Sequence, residues 1–206
     1  MAVEIEKKFL ISEQKAKNLK EHYENQMIGI VQWYIDGAKE IHKSERIRLI
    51  IDKEGKQSWI KGKKECINGD LIQRNEEETP LQKNSFTFEQ LKKFPFIIKT
   101  RSIFNSPFKV EIVLDKLLEN PFLSYDVNTI LEVELKNNQT DIHRVVDDVL
   151  GYFNLTNMKD ISQNFDYTNN AIAFRAKKKS DYNQVKLSNL ISILKKELRS
   201  DDIECQ

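Results

Sequence analysis

Cysteine is scarce: only Cys66 and Cys205 occur in 206 residues. Two distant cysteines build neither a disulfide framework nor a zinc-ribbon site, and they suit a reducing compartment. Long apolar runs are missing as well. No stretch approaches the roughly 18 residues of a membrane span. The opening Met-Ala-Val-Glu-Ile-Glu has neither the basic nor the apolar segment of a signal peptide, so a cytoplasmic protein is expected. A surplus of one charge sign is also lacking. The formal net charge is +1, which gives no global field for DNA or an anionic membrane. No internal repeat is visible. The three histidines, His22, His42 and His143, are scattered and read as surface residues.

What the chain does have is charge in an ordered pattern. Charged residues make up 32% of it, against about 25% in an average protein. Period-two alternation marks strands at 3–11, 28–35, 45–51, 57–64, 71–79, 96–104, 109–117 and 129–136. Turn signals sit between them at Asp36-Gly37, Lys53-Glu54-Gly55-Lys56 and Asn68-Gly69, with a loop at Pro121. Pro80 is expected to end the fifth strand. Helices are predicted from Ser12 to Tyr23, over 85–94 closed by Pro95, and from Thr140 to Leu150 with Gly151 as C-cap. Residues 160–177 read as irregular, and a last helix covers 185–199. Eight strands are about the number that closes into a small barrel. The expected fold is α+β, mainly β: an eight-stranded antiparallel closed barrel with flanking helices.

On the polar faces, charged residues two apart share a side. They are Glu4, Glu6 and Lys8; Arg46 and Arg48; Lys61 and Lys63; Arg74, Glu76 and Glu78; Lys99 and Arg101; Asp115; and Glu132 and Glu134. A solvated sheet face often carries alternating charge. Like charges side by side repel, however, and here Arg stands with Arg, Lys with Lys and Glu with Glu. Such pairing suggests neutralising ligands. The carboxylates Glu4, Glu6, Glu132 and Glu134 suit a hard divalent cation such as Mg²⁺ or Mn²⁺. The cations Lys8, Arg46, Arg48, Lys61, Lys63, Arg74, Lys99 and Arg101 suit a polyphosphate. A triphosphate bridged to a metal would use both sets.

Glu4-x-Glu6-x-Lys8, followed in order by Arg46-x-Arg48, Lys61-x-Lys63, Arg74-x-Glu76, Lys99-x-Arg101, Asp115 and Glu132-x-Glu134, resembles the CYTH superfamily, the triphosphate tunnel metalloenzymes. The resemblance covers residues 1 to about 175. It implies a charged tunnel in which Glu4, Glu6, Glu132 and Glu134 hold the catalytic metal and Arg46, Arg48, Lys61, Lys99 and Arg101 bind phosphates. Asp115, or Glu111 on the same face, would be the acid of the penultimate strand and serve a second metal or the water. Glu76 would support the basic residues by salt bridges, and Lys8 is a candidate general base.

The implied activity is metal-dependent hydrolysis of a triphosphate, with inorganic tripolyphosphate first, since no base-reading element is evident. Nucleoside or thiamine triphosphate, RNA 5′-triphosphate, adenylate cyclisation of the class IV type and non-catalytic polyphosphate binding are the alternatives. A nucleic-acid module would show a basic surplus with exposed aromatics; Trp33, Tyr34 and Trp59 read instead as core or tunnel wall. Residues 1–177 would form the tunnel domain. Residues 178–206, with Lys177-Lys178-Lys179 at the junction, would add a helix packed on or beside the barrel as cover, lid or dimer contact. The polar stretch Tyr167–Asn170 has no assigned role. The expected partner is a small triphosphate, without DNA or membrane, and the protein is expected to be a monomer or homodimer.

Overall fold

The computed structural model describes residues 2–36, 42–82, 85–120, 123–135, 141–179 and 185–200. Gly37, Pro121, Lys136, Thr140 and Cys205 lie outside them, as do the side chains of Lys177, Lys178 and Lys179. Eight strands form a closed antiparallel barrel. They are β1 (Ala2–Leu10), β2 (Glu24–Tyr34), β3 (Lys43–Ile51), β4 (Gln57–Ile67), β5 (Asp70–Leu81), β6 (Phe96–Phe104), β7 (Glu111–Leu117) and β8 (Thr129–Leu135). The wall runs β5-β4-β3-β2-β6-β7-β8-β1, and β1 closes it by pairing with β5 through Val3↔Asn75 and Glu4↔Arg74. A ninth short strand, β9 (Lys159–Asp160), adds to β1 beyond the closure.

The barrel is apolar outside and charged inside. Alternation along β1 sends Glu4, Glu6 and Lys8 inward, and Ile5 and Phe9 outward into an apolar layer. That layer also takes Leu131, Val133, Ile112 and Leu114 from β8 and β7. It is covered by α1 (Glu13–Tyr23), through Ala16 and Leu19, and by α3 (Ile142–Tyr152), through Ile142, Val146 and Val149. A second apolar layer lies over β2, β3 and β6. There α4 (Asn169–Lys179) and α5 (Leu187–Ser200) pack against the sheet, α5 through Leu190, Leu194 and Leu198. Leu194 comes so close to Gly29 that a Cβ there would sit 3.0 Å from its Cδ2. Both faces of the wall are therefore buried, one by helices and one by its own charged interior.

Local signals explain most of the element ends. Ser12 caps α1 by accepting from Lys15 N. Asn68 and Gly69, at φ +52° and +77°, make the tight β4–β5 hairpin. Four expectations change. The helix predicted over 85–94 shrinks to α2 (Phe88–Leu91), opened by a Thr87/Gln90 capping box. Gly151 is not a C-cap: α3 continues to Tyr152, and Asn154 takes the positive φ beyond it. Pro80 does not end β5 but pairs opposite Ile60 inside it. The stretch 160–177, expected to be irregular, holds a 3₁₀ turn (Phe165–Tyr167) and α4. The buried face of α4 is Ile172, Ala173 and Ala176, small residues that give little hydrophobic contrast. Among the described residues no helix is long and apolar enough to cross a membrane.

Candidate active site

The barrel encloses a cavity of about 140 Å³, roughly ten times what one water needs. Its wall carries Glu6, Lys8, Arg46, Arg48, Lys64, Arg74, Glu76, Glu78, Arg101, Glu111, Glu132 and Glu134, with Tyr34 and Cys66 among them. His42, Lys43, Ser44, Thr168, Asn169 and Asn170 also line it. Most of these residues come from alternate positions of separate strands, which is why a period-two charge pattern gathers into one chamber.

One region of the barrel interior is anionic. Glu4, Glu76 and Glu134 each present a carboxylate oxygen, all within 4.8 Å of one another. Burial raises the Glu4 carboxyl to about 9; Lys64 opposes this, while Glu76, Glu6 and Glu134 add to it. Glu4 Oε2 is buried with no hydrogen-bond partner among the described residues. An orphaned carboxylate oxygen beside two further carboxylates is the environment a hard divalent cation would relieve. The residues therefore fit such an ion, with Glu76 as the third oxygen donor.

Glu4 Oε1 is paired with Lys64, and the quartet members Glu6 and Glu132 are likewise held by cations. Lys8 Nζ lies 2.6 Å from Glu6 and 2.5 Å from Glu132. Glu6 also accepts from Arg74 Nη1 at 3.0 Å, and Glu132 from Arg101 Nη2 at 2.8 Å. Burial opposes ionisation of Glu6, but Lys8, Arg74 and Lys64 hold it well below the carboxylate range. For Lys8, burial favours the neutral amine. The charges of Glu132 and Glu6 outweigh it and raise Lys8 above the ordinary lysine value.

Asp115 sits apart from the carboxylate trio. It pairs with Lys99 and accepts from Arg101 Nε and Nη2, each at 2.7 Å, so its two oxygens are occupied. Burial works against the Asp115 charge, yet Arg101 and Lys99 depress its carboxyl far below normal. Lys99 is buried beneath this pair and does not reach the cavity wall. Burial and Arg101 push it down to about 7 against the pull of Asp115. Glu111, the alternative acid, does line the cavity and stands opposite Glu134 in register.

Lys61 and Lys63 lie outside the chamber, each 3.3 Å from Glu45 on the outer face. The cation that β4 sends inward is Lys64, 2.5 Å from Glu4 and 3.5 Å from Glu76. The sequence held the signal. Trp59 is apolar and belongs to the outer face, where it stacks on Trp33 at 5.9 Å; Lys61 and Lys63 share its parity, and Gly62 and Lys64 do not. Arg46 lies across Gly62 and reaches Glu76 and Glu78, while its Nε is buried without a partner among the described residues. Tyr34, read from the sequence as core or tunnel wall, lines the cavity; Gln32 and the stretch Thr168–Asn170 were not among the expected site residues.

The closed eight-stranded antiparallel barrel with charge lining its interior is a fold that solved structures of low sequence identity share with this chain. A Pyrococcus horikoshii OT3 protein, PH1819, matches 76% of this chain over 91% of its own length, at 18% identity and a TM-score of 0.54. A Hippeastrum protein, HpAC1, described as a putative adenylyl cyclase with a dominant triphosphatase activity, matches 86% of this chain over 96% of its own, at 12% identity and a TM-score of 0.55. The inorganic triphosphatase NE1496 aligns at 17% identity over 84% of this chain and 96% of its own, with a TM-score of 0.46. No family model and no curated protein matches the sequence.

Proposed function

We propose that the chain is a metal-dependent triphosphatase, acting first on inorganic tripolyphosphate to give pyrophosphate and orthophosphate. The observation that carries this reading is a pair of opposite, buried and unpartnered atoms in the barrel interior. Among the described residues Glu4 Oε2 has no donor and Arg46 Nε has no acceptor. A cation answers the first and a phosphate oxygen the second. The triphosphatase activity described for HpAC1, a protein of the same fold, supports the same reading.

Glu4, Glu76 and Glu134 would hold Mg²⁺ or Mn²⁺, which would supply Lewis acidity and neutralise phosphate charge. Arg46, Arg48, Lys64, Arg74 and Arg101 would grip the phosphate oxygens, and phosphoryl transfer asks mainly for such positioning and charge compensation. Lys8, held protonated by Glu6 and Glu132, is assigned to the cationic clamp rather than to a base. Asp115 and Lys99 are assigned to fixing Arg101. One observation favours a second reading. Ser44, Thr168, Asn169 and Asn170 add uncharged hydrogen-bonding groups to the wall, as the organic part of a nucleoside or thiamine triphosphate would require.

The test is phosphate release from tripolyphosphate, ATP and thiamine triphosphate with Mg²⁺, with Mn²⁺ and with chelator, together with an assay for cyclic nucleotide. Metal-dependent release, fastest on tripolyphosphate and lost in Glu4→Ala, is expected. Faster turnover of an organic triphosphate would transfer the assignment to the second reading. Tight binding without turnover of any of the three would end the enzymatic one.

A further inference from the structure

Most cations on the cavity wall are matched by buried or half-buried carboxylates. Lys8 has Glu6 and Glu132, Lys64 has Glu4 and Glu76, Arg74 has Glu6, Arg46 has Glu76, and Arg101 has Asp115 and Glu132. Arg48 differs. Its single carboxylate partner among the described residues is Glu78, 2.6 Å from Nη1, whose side chain is 36% exposed and is shared with Arg46. Arg48 Nε donates instead to a neutral acceptor, Gln32 Oε1, at 2.8 Å.

That acceptor is built in. Gln32 is completely buried, and its Nε2 donates to the Tyr34 hydroxyl. Gln32 and Tyr34 stand two apart on β2, directly across from Arg48 and Arg46 in register. The amide thus has both ends tied, one to the tyrosine and one to the guanidinium, which fixes its orientation. Tyr34 stays neutral as well: burial holds its hydroxyl up at about 12 against the nearby arginines.

We infer that Gln32, locked by Tyr34, is a positioning residue that aims the Arg48 guanidinium into the cavity without neutralising it. The inference rests on the triphosphate reading above. A carboxylate at this position would have nearly the same shape and would bind the guanidinium more tightly. It would also add a second carboxylate to an arginine whose anionic partner among the described residues is the partly exposed Glu78, shared with Arg46. Burial, with Arg46 and Arg101 beside it, lowers Arg48 to about 10, as expected of a cation lacking a full counter-charge. A neutral holder keeps that charge for an anionic ligand.

The substitution Gln32→Glu separates this role from a structural one, because only the positioning role predicts weaker anion binding in a variant that is as stable as wild type. A merely structural amide would be replaced without loss of affinity, and the unliganded protein would melt at the same temperature or higher. A neutral positioning residue would leave the melting temperature unchanged or raised while weakening anion binding. The experiment is calorimetric titration of inorganic tripolyphosphate into the full chain with chelator present, alongside thermal melting. The expected result is a Kd raised about tenfold in Q32E, the equivalent of about 1.4 kcal/mol, and several-fold in Tyr34→Phe, which frees the amide to rotate. A Q32E variant that melts like wild type and binds tripolyphosphate equally well overturns the inference alone. If Q32E does not fold, Y34F decides: an unchanged Kd there overturns the inference. A wild-type protein that fails to bind tripolyphosphate both with chelator and with Mg²⁺ overturns the triphosphate reading and the inference together.

Discussion

Glu4 is under opposed demands at the residue scale. Its burial disfavours charge, yet a metal site needs the carboxylate ionised. The consequence is a pH dependence of stability with a definite sign. Glu4 has an ordinary value of 4.5 and is raised to about 9 in the folded chain. Between these values the folded state binds more protons than the unfolded state, so stability falls as pH rises through the window. With chelator present, the melting temperature of wild type is expected to drop from pH 5 to pH 9 more steeply than that of Glu4→Gln, which has no proton to lose. Parallel curves for the two proteins would remove this account of Glu4. A second prediction concerns which lysines of β4 matter. Lys64 touches Glu4 and faces the chamber, whereas Lys61 and Lys63 share the outer Glu45. Lys64→Met is expected to lower kcat/KM about ten- to a hundredfold, the worth of one charge-assisted hydrogen bond. Lys61→Ala and Lys63→Ala are expected to stay within about twofold, as for most surface pairs. Steady-state kinetics on the three variants distinguishes the faces, and equal losses in all three would contradict the assigned parity of β4.

At the scale of elements, the same strand shows what its sequence could tell and what it could not. Gly62 permits Arg46 to lie flat on β4: a Cβ there would sit 3.1 Å from Arg46 Nε and 3.4 Å from its Cγ. Arg46 cannot easily give way, because Glu76 and Glu78 hold its far end. Gly62→Ala is therefore expected to weaken tripolyphosphate binding about tenfold. Its effect on stability should be small, since alanine's lower backbone entropy cost in a strand offsets the crowding. Titration calorimetry with a parallel melt checks both parts; unchanged affinity would mean that Arg46 does not hold phosphate in that pose. The eight strands and the inward sets of β1, β3, β6 and β8 were legible because alternation needs only local sequence. The role of Glu76 beside Glu4 was not legible, since it depends on β1 closing the barrel onto β5 with Glu4 opposite Arg74. The parity of β4 was misread for a physical reason: a Lys-Gly-Lys-Lys run offers charge to both faces, and only the neighbouring Trp59 tells them apart. Helix α4 escaped notice because alanines make up much of its buried stripe.

For the whole molecule, the placement of apolar residues outside the wall and charge within it divides the sources of stability. The helices and the outer strand faces form two apolar layers that do not depend on any ligand. Among the described residues the interior holds carboxylates and cations in near balance, with buried atoms still unmatched at Glu4 and Arg46. A polyanion entering that interior binds the folded chain alone, because only closure of β1 onto β5 brings the inward residues together. Its stabilising effect then follows from mass action. At a free concentration one hundred times Kd it amounts to about 2.7 kcal/mol. For a chain of this size that corresponds to a rise in melting temperature of about 5–10 °C. Tripolyphosphate is expected to produce this rise, and orthophosphate at the same concentration a smaller one, since it spans fewer of the cations. Sodium chloride at matched ionic strength is expected to give none of it, because screening acts weakly on charges enclosed in a chamber. Thermal melts in the three salts read the difference directly. A tripolyphosphate curve that coincides with the sodium chloride curve would mean that the charged interior is a self-contained ion-pair network with no polyanion to receive.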